Sequence, residues 1–171
     1  MHELKELNPP QRVLLGPGPS CVHPRVYRAL ATPIVGHLDP DFLQIMDEIQ
    51  ELLRFVFQTK NRFTIAVSGT GSAGMEAAFV NVVEPGDTVI VGVNGVFGNR
   101  MSDIVTRCGG KLIQVKEEWG KPIDLQRVED ELKRAGKVKA VALVHAETST
   151  GVLQPLAGLG ELCRQHGALL I

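Results

Sequence analysis

The segment Ser68-Gly69-Thr70-Gly71-Ser72-Ala73-Gly74 sets three hydroxyls among three glycines. It follows a short apolar run, Phe63 to Val67, that reads as a strand. It leads into Met75, Ala78, Phe79 and Val82, apolar positions at helical spacing. A strand, a glycine-rich turn and a helix start together make an anion site. Unpaired amide groups and the positive end of the helix dipole face whatever sits in the turn, and Thr70 and Ser72 add hydroxyl donors. An ordinary tight turn between strand and helix uses the same glycines, so the remainder of the chain must decide between a phosphate cradle and a plain turn.

Several chemistries compete for such a cradle. The spacing Gly69-x-Gly71-x-x-Gly74 matches a dinucleotide fingerprint, which also needs an acidic residue about 20 positions on, for the ribose hydroxyls. That position falls near Val93-Asn94, where there is no carboxylate. A Walker A loop is excluded because no Gly-Lys-Ser/Thr follows. A single phosphate carrying a flat ring remains. Phe97, read here as part of a loop at the neighbouring strand end, is placed to stack on such a ring, with a core aromatic as the competing reading. His145 and Glu147, at a third strand end, read as a histidine and a carboxylate pairing with each other.

These residues need elements to position them. Leu14-Leu15-Gly16-Pro17-Gly18-Pro19-Ser20 excludes helix and sheet, because proline removes donors and fixes φ. It follows a polar lead-in from Met1 to Gln11. Pro24 to Leu30 reads as a short helix. Asp39-Pro40 reads as an N-cap with proline at the first helical position, opening a helix to Phe57 with Phe42, Ile45, Met46, Ile49, Leu52, Leu53 and Val56 along one face. From Phe63 on, strands alternate with helices: strands at Thr88 to Val93, Lys111 to Val115, Lys139 to Val144 and Ala168 to Ile171, helices ending near Val83, before Gly109 and at His166, and a helix that Asp124 caps and that bears Leu125, Val128 and Leu132. This alternation predicts an α/β fold, a mostly parallel sheet with helices on both faces. Ligands bind such sheets at the carboxyl ends of the strands. The loops at Ser68 to Gly74, Asn94 to Gly98 and His145 to Gly151 all fall there.

Composition narrows the class. The 171 residues are 44% hydrophobic and carry a net charge of -1, with no basic stripe, so no nucleic-acid partner is expected. Cys21, Cys108 and Cys163 are far apart, with no metal-type spacing, and read as free thiols in a reducing compartment. Apolar runs such as Val138 to Val144 are too short to span a membrane, and the N-terminus carries no signal-peptide core. A cytoplasmic protein is expected. The chain stops at Ala168-Leu169-Leu170-Ile171, inside an expected strand, and reads as a fragment.

The motifs Leu15-Gly16-Pro17-Gly18-Pro19, Ser68-Gly69-Thr70-Gly71-Ser72 with Met75-Glu76-Ala77, Glu84-Pro85-Gly86-Asp87, Asn94-Gly95-Val96-Phe97-Gly98 and His145-Ala146-Glu147-Thr148-Ser149-Thr150-Gly151 occur in that order. Together they resemble the N-terminal part of class V (fold type I) pyridoxal-phosphate aminotransferases of the alanine–glyoxylate and serine–pyruvate group, over nearly all the chain after Gln11. The resemblance implies pyridoxal 5'-phosphate as cofactor, with Thr70, Gly71 and Ser72 holding its phosphate. Phe97 would stack on its ring, where many relatives have tryptophan, and Thr148 would lie near its phenolic oxygen. Gly18 falls in the segment that lines the substrate pocket and meets the partner subunit. By the same resemblance, residues 1–20 form an N-terminal arm and 21–171 the first part of a cofactor-binding large domain, incomplete at its C-terminus.

No catalytic residue is expected within the chain. In the family, the aspartate pairing with the pyridinium nitrogen follows the strand beginning at Ala168, and the cofactor-anchoring lysine and a substrate-binding arginine come later still. The implied activity, in a full-length homodimer, moves an amino group from alanine or serine to glyoxylate or pyruvate, and the segment alone is expected to be inactive. Cysteine desulfuration or phosphonate transamination on the same scaffold, a Rossmann-type nucleotide-binding protein and a non-catalytic chain stand as alternatives.

Overall fold

The computed structural model describes residues 6–171. The chain divides into two compact units, Met1–Thr64 and Ile65–Ile171. In the first unit, α1 (Pro24–Leu30) starts behind His23, whose Nδ1 accepts from the Arg25 amide at 3.2 Å. The second helix, α2 (Pro40–Val56), has Asp39 as N-cap, its carboxylate accepting from the Asp41 amide at 2.9 Å, with proline at the first turn. This is the cap and start that Asp39-Pro40 encodes. Phe42, Met46, Ile49 and Leu53 are half-buried along α2, while Leu52, Phe55 and Val56 are exposed. Of the lead-in expected over Met1 to Gln11, residues 1–5 lie outside the described residues, and 6–11 carry no regular structure.

The expected strand over 63–67 does not form. A strand exists by virtue of a hydrogen-bonded neighbour, and no described segment pairs with this one. Phe63, Ile65 and Val67 remain exposed there.

The second unit begins with α3 (Gly71–Val80) and continues through β1 (Thr88–Val93), α4 (Val96–Arg107), β2 (Lys111–Lys116), α5 (Leu125–Ala135) and β3 (Ala140–Ala142). It ends with β4 (Ala146–Glu147), β5 (Val152–Leu153), α6 (Leu159–Gln165) and β6 (Leu169–Leu170). Four strands form a parallel sheet in the order β2-β1-β3-β6, while β4 and β5 pair antiparallel as a separate hairpin. That hairpin occupies part of the segment expected to be loop from His145 to Gly151. β1 lies between β2 and β3, so the chain reverses its direction of travel across the sheet there. The crevice beyond the carboxyl ends of β1 and β3 is the topological switch point.

Both faces of the sheet are covered, and this explains why β1 is apolar at nearly every position. Val89, Val91 and Val93 pack with Phe79 of α3, Met101, Ile104 and Val105 of α4, and Ala140 and Ala142. On the other face Ile90 and Val141 pack with Val128 and Leu132 of α5 and with Leu159 and Cys163 of α6. A Cβ at Gly98 would lie 2.7 Å from the Gly92 carbonyl oxygen and 2.9 Å from Val93 Cα, so α4 sits on β1 at a distance only glycine permits. Asp124 caps α5, accepting from the Gln126 amide at 2.9 Å, as its position before Leu125 predicts.

Burial raises the Cys163 thiol above its usual range, whereas Cys21 is exposed. Because the thiolate is the reactive form, a maleimide titration at neutral pH should modify Cys21 rapidly and Cys163 only under denaturing conditions. Equal rates by peptide mapping would contradict the packing of α6. Among the described residues no helix is long and apolar enough to cross a membrane, and no cluster of histidine, cysteine and carboxylates is arranged to hold a metal.

Candidate functional site

The helix start predicted from the glycine-rich segment is present. Thr70 is the N-cap of α3, in extended conformation, and its side chain makes no capping bond. The Thr70 carbonyl accepts from the amides of Ala73 and Gly74 at 2.9 and 3.4 Å. Among the described residues, the amides of Gly71 and Ser72 find no acceptor. A helix N-terminus in this condition favours an anion, through its free donors and its dipole.

Gly71, Ser72 and Met75 of α3 line one side of a cavity of about 410 Å³. Phe97 and Arg100 of α4 and Val144, Ala146 and Thr148 beyond β3 complete its wall. Four residues singled out from sequence therefore meet in one cavity: Gly71, Ser72, Phe97 and Thr148. Thr70 stands directly before it in the chain. Gly18 belongs to the Met1–Thr64 unit, where it is exposed within a run of bends at 16–19. Phe97 is not in a loop as expected; it lies in the first turn of α4, which begins at Val96. The helix starts earlier than the glycines suggest because Glu147, far away in sequence, receives its first amides.

Sequence reasoning missed Arg100. Its Nη1 donates to Ser72 Oγ at 2.6 Å, and its guanidinium lies 5.2 Å from the centre of the Phe97 ring. No carboxylate among the described residues forms an ion pair with it. Arginine carries no acceptor, so Ser72 Oγ takes the Arg100 hydrogen bond on a lone pair and keeps its own proton to donate. An unpaired guanidinium beside a free helix start is an arrangement for a negatively charged ligand. The available signal was helical spacing: Phe97 and Arg100 are three residues apart and share a face of α4.

Glu147 also departs from expectation. Instead of pairing with His145, its carboxylate is fully buried and accepts from the amides of Phe97 and Gly98 at 3.1 and 3.3 Å, and from the amide and hydroxyl of Ser149 at 3.2 and 2.6 Å. The two helix starts beside the cavity thus differ: α4 is satisfied by an internal anion, and α3 is not. The end of β1 offers no ribose-binding acid, since Asn94 there is buried and donates to the Lys121 carbonyl at 2.8 Å.

A parallel sheet clad on both faces, with a mainly apolar cavity at its switch point that holds a few polar groups, defines the ligand-binding scaffold of an α/β enzyme. Residues 25–171 match the family described as Aminotransferase class-V, and the chain belongs to that family. It is 46% identical over 167 residues to alanine–glyoxylate aminotransferase of Rattus norvegicus, in a match that takes in 98% of this chain and 40% of the rat protein. It is 44% identical to (S)-ureidoglycine–glyoxylate transaminase of Bacillus subtilis, again over 98% of this chain and 40% of the other. A crystal structure of alanine–glyoxylate aminotransferase from Nostoc sp. shares the fold with a TM-score of 0.94 at 54% identity, over 98% of this chain and 44% of that one. The chain spans about 40% of the length of these curated relatives.

Proposed function

We propose that this chain forms the cofactor-phosphate site of a pyridoxal 5'-phosphate-dependent transaminase that moves an amino group from a small amino acid, alanine or serine, to glyoxylate or pyruvate. The observation that carries the reading is the convergence of the open α3 N-terminus, the unpaired Arg100 and the ring of Phe97 on one cavity. The names of the relatives, which transfer to glyoxylate, support the acceptor. The donor, a homodimeric assembly, a cytoplasmic location and the division into an arm over 1–20 and a cofactor domain over 21–171 belong to the same proposal. A nucleotide ligand gains no support, because the β1 end lacks its acid.

The residues present suit the cofactor. The amides of Gly71 and Ser72, with the hydroxyls of Thr70 and Ser72, would hold a phosphate monoester, and Arg100 would add positive charge beside it. Phe97 would cover one face of a pyridine ring, its orientation set by the first turn of α4. Thr148 would hold a proton near the ring's phenolic oxygen. When bound, pyridoxal phosphate supplies an electron sink for negative charge at the substrate α-carbon. This chain's contribution is to bind and orient that group, and an apolar wall of Met75, Phe97 and Val144 excludes water from it.

Titrating the protein with pyridoxal 5'-phosphate, followed by absorbance, tests the assignment against NAD as control. Saturable binding of the first and none of the second is expected. Phe97→Ala should raise the dissociation constant by roughly 2- to 12-fold, the scale of one aromatic stacking contact, and Phe97→Trp should be tolerated. If Phe97→Ala instead lowers the melting temperature and leaves binding untouched, Phe97 is a core residue. Alanine–glyoxylate turnover in the enzyme that carries this segment tests the substrate pair.

A further inference from the structure

We propose that Glu147 is a positioning residue: from one buried carboxylate it sets both the Phe97 ring and the Thr148 hydroxyl against the cavity. The inference rests on the cofactor reading above for what those two side chains touch. Glu147 is fully buried, and no lysine, arginine or histidine among the described residues pairs with it. Its charge is balanced by hydrogen bonds and by the start of α4. Oε2 takes the amides of Phe97 and Gly98. Oε1 takes the amide and hydroxyl of Ser149, and the Ser149 oxygen in turn accepts from the Val96 amide at 3.0 Å. Three successive amides of the first turn of α4 are thereby fixed, directly or through Ser149, by one side chain.

A helix is ordinarily capped by the residue just before it. Here that residue is Gly95, which has no side chain to offer, and a Cβ there would fall on the Glu147 carboxyl group. The cap comes instead from a residue 50 positions away from Phe97. A local serine or aspartate would stabilise the helix equally well but could not tie it to the end of β3. Glu147 is itself held by β-pairing with Val152 and by the amides of Thr150 and Gly151, which donate to its carbonyl at 3.1 and 2.8 Å. Thr148 lies between Glu147 and Ser149, so the carboxylate anchors both of its flanks. The long-range cap therefore locks two cavity walls, from the ends of β1 and β3, into one register.

Glu147→Gln tests this with little change of volume. The neutral amide has one acceptor oxygen, so either the α4 amides or the Ser149 donors lose their partner. Amide hydrogen exchange at Phe97 and Gly98 should accelerate, and the pyridoxal phosphate dissociation constant should rise about tenfold, the scale of one lost charge-assisted hydrogen bond. In a Phe97→Ala background the same substitution should cost clearly less, because the ring it positions is gone. A lower melting temperature with unchanged affinity, or an equal fold-change with and without the Phe97 ring, would overturn the proposal and leave Glu147 a structural cap. If Glu147→Gln does not fold, Ser149→Ala, which removes the Val96 acceptor and one donor to the carboxylate, takes its place. Weaker affinity that depends on the Phe97 ring then supports the positioning role, and a lower melting temperature with unchanged affinity overturns it. Should the parent protein show no saturable cofactor binding, the cofactor reading is what fails. Exchange at Phe97 and Gly98 then decides the positioning by itself, and unchanged rates would overturn it.

Discussion

Phe79→Ala is expected to destabilise the second unit by about 3–5 kcal/mol, the range for emptying a large aromatic from a closed core. Phe79 is fully buried and is the one buried residue of α3. It fills the space between α3 and the sheet beside Val89, Val91 and Ile104. A helix of 10 residues is too short to persist by itself, since isolated helices below roughly 12–15 residues are marginal in water. Its only deep anchor therefore decides whether the free amides of Gly71 and Ser72 are presented at all. Against a total stability of about 5–15 kcal/mol for a domain, the loss should move the urea midpoint far down at an unchanged slope. Cofactor affinity should fall with it. A loss below about 1 kcal/mol would show that α3 is held by contacts other than this ring.

Gly71→Asp should have the largest effect on binding while sparing the fold. Nothing lies within 4 Å of a Cβ built at Gly71, and its backbone does not require glycine, so the aspartate fits without strain. A carboxylate in the first helical turn favours the helix by roughly 0.3–1 kcal/mol. Thermal stability should accordingly hold or rise. A phosphate dianion brought to the same amides would meet a like charge beside them, costing about 1–3 kcal/mol of binding. Arg100→Gln should weaken binding on a similar scale by removing the cation that pins Ser72, and both losses should shrink as salt screens the charges. Stability and affinity moving in opposite directions in Gly71→Asp is the signature of an anion site. Unchanged affinity in both variants would remove the phosphate cradle from α3.

Much of the architecture was legible because it is local. Asp39-Pro40 and Asp124 cap α2 and α5 where short-range chemistry says they should, because a side-chain oxygen two residues before an amide reaches it whatever the rest of the chain does. The apolar run of β1 announced a strand buried on both faces, and the structure covers both. The glycine-rich segment announced a helix start with free amides, and α3 has one. Where local reading failed, the missing information concerned neighbours. The run at 63–67 has strand composition but no described partner, and composition cannot supply one. Phe97 sits in a helix instead of a loop because its amide is received by a carboxylate 50 positions away.

By itself, then, the sequence determined the α/β alternation, the helix caps, the glycine turn before α3 and the resemblance that the family match bears out. Tertiary structure alone decided which strand ends became neighbours. The order β2-β1-β3-β6 places β1 beside β3, and that adjacency brings Phe97 and Arg100 of α4 to Thr148 and Glu147 of the β4–β5 hairpin. Arg100 reaches Ser72 across 28 positions, and Glu147 reaches Gly98 across 49. Periodicity reports which face of an element is apolar, a property within each element. The meeting of an arginine with a serine hydroxyl depends on the packing of one element against the next, and no spacing within a single helix or strand encodes it.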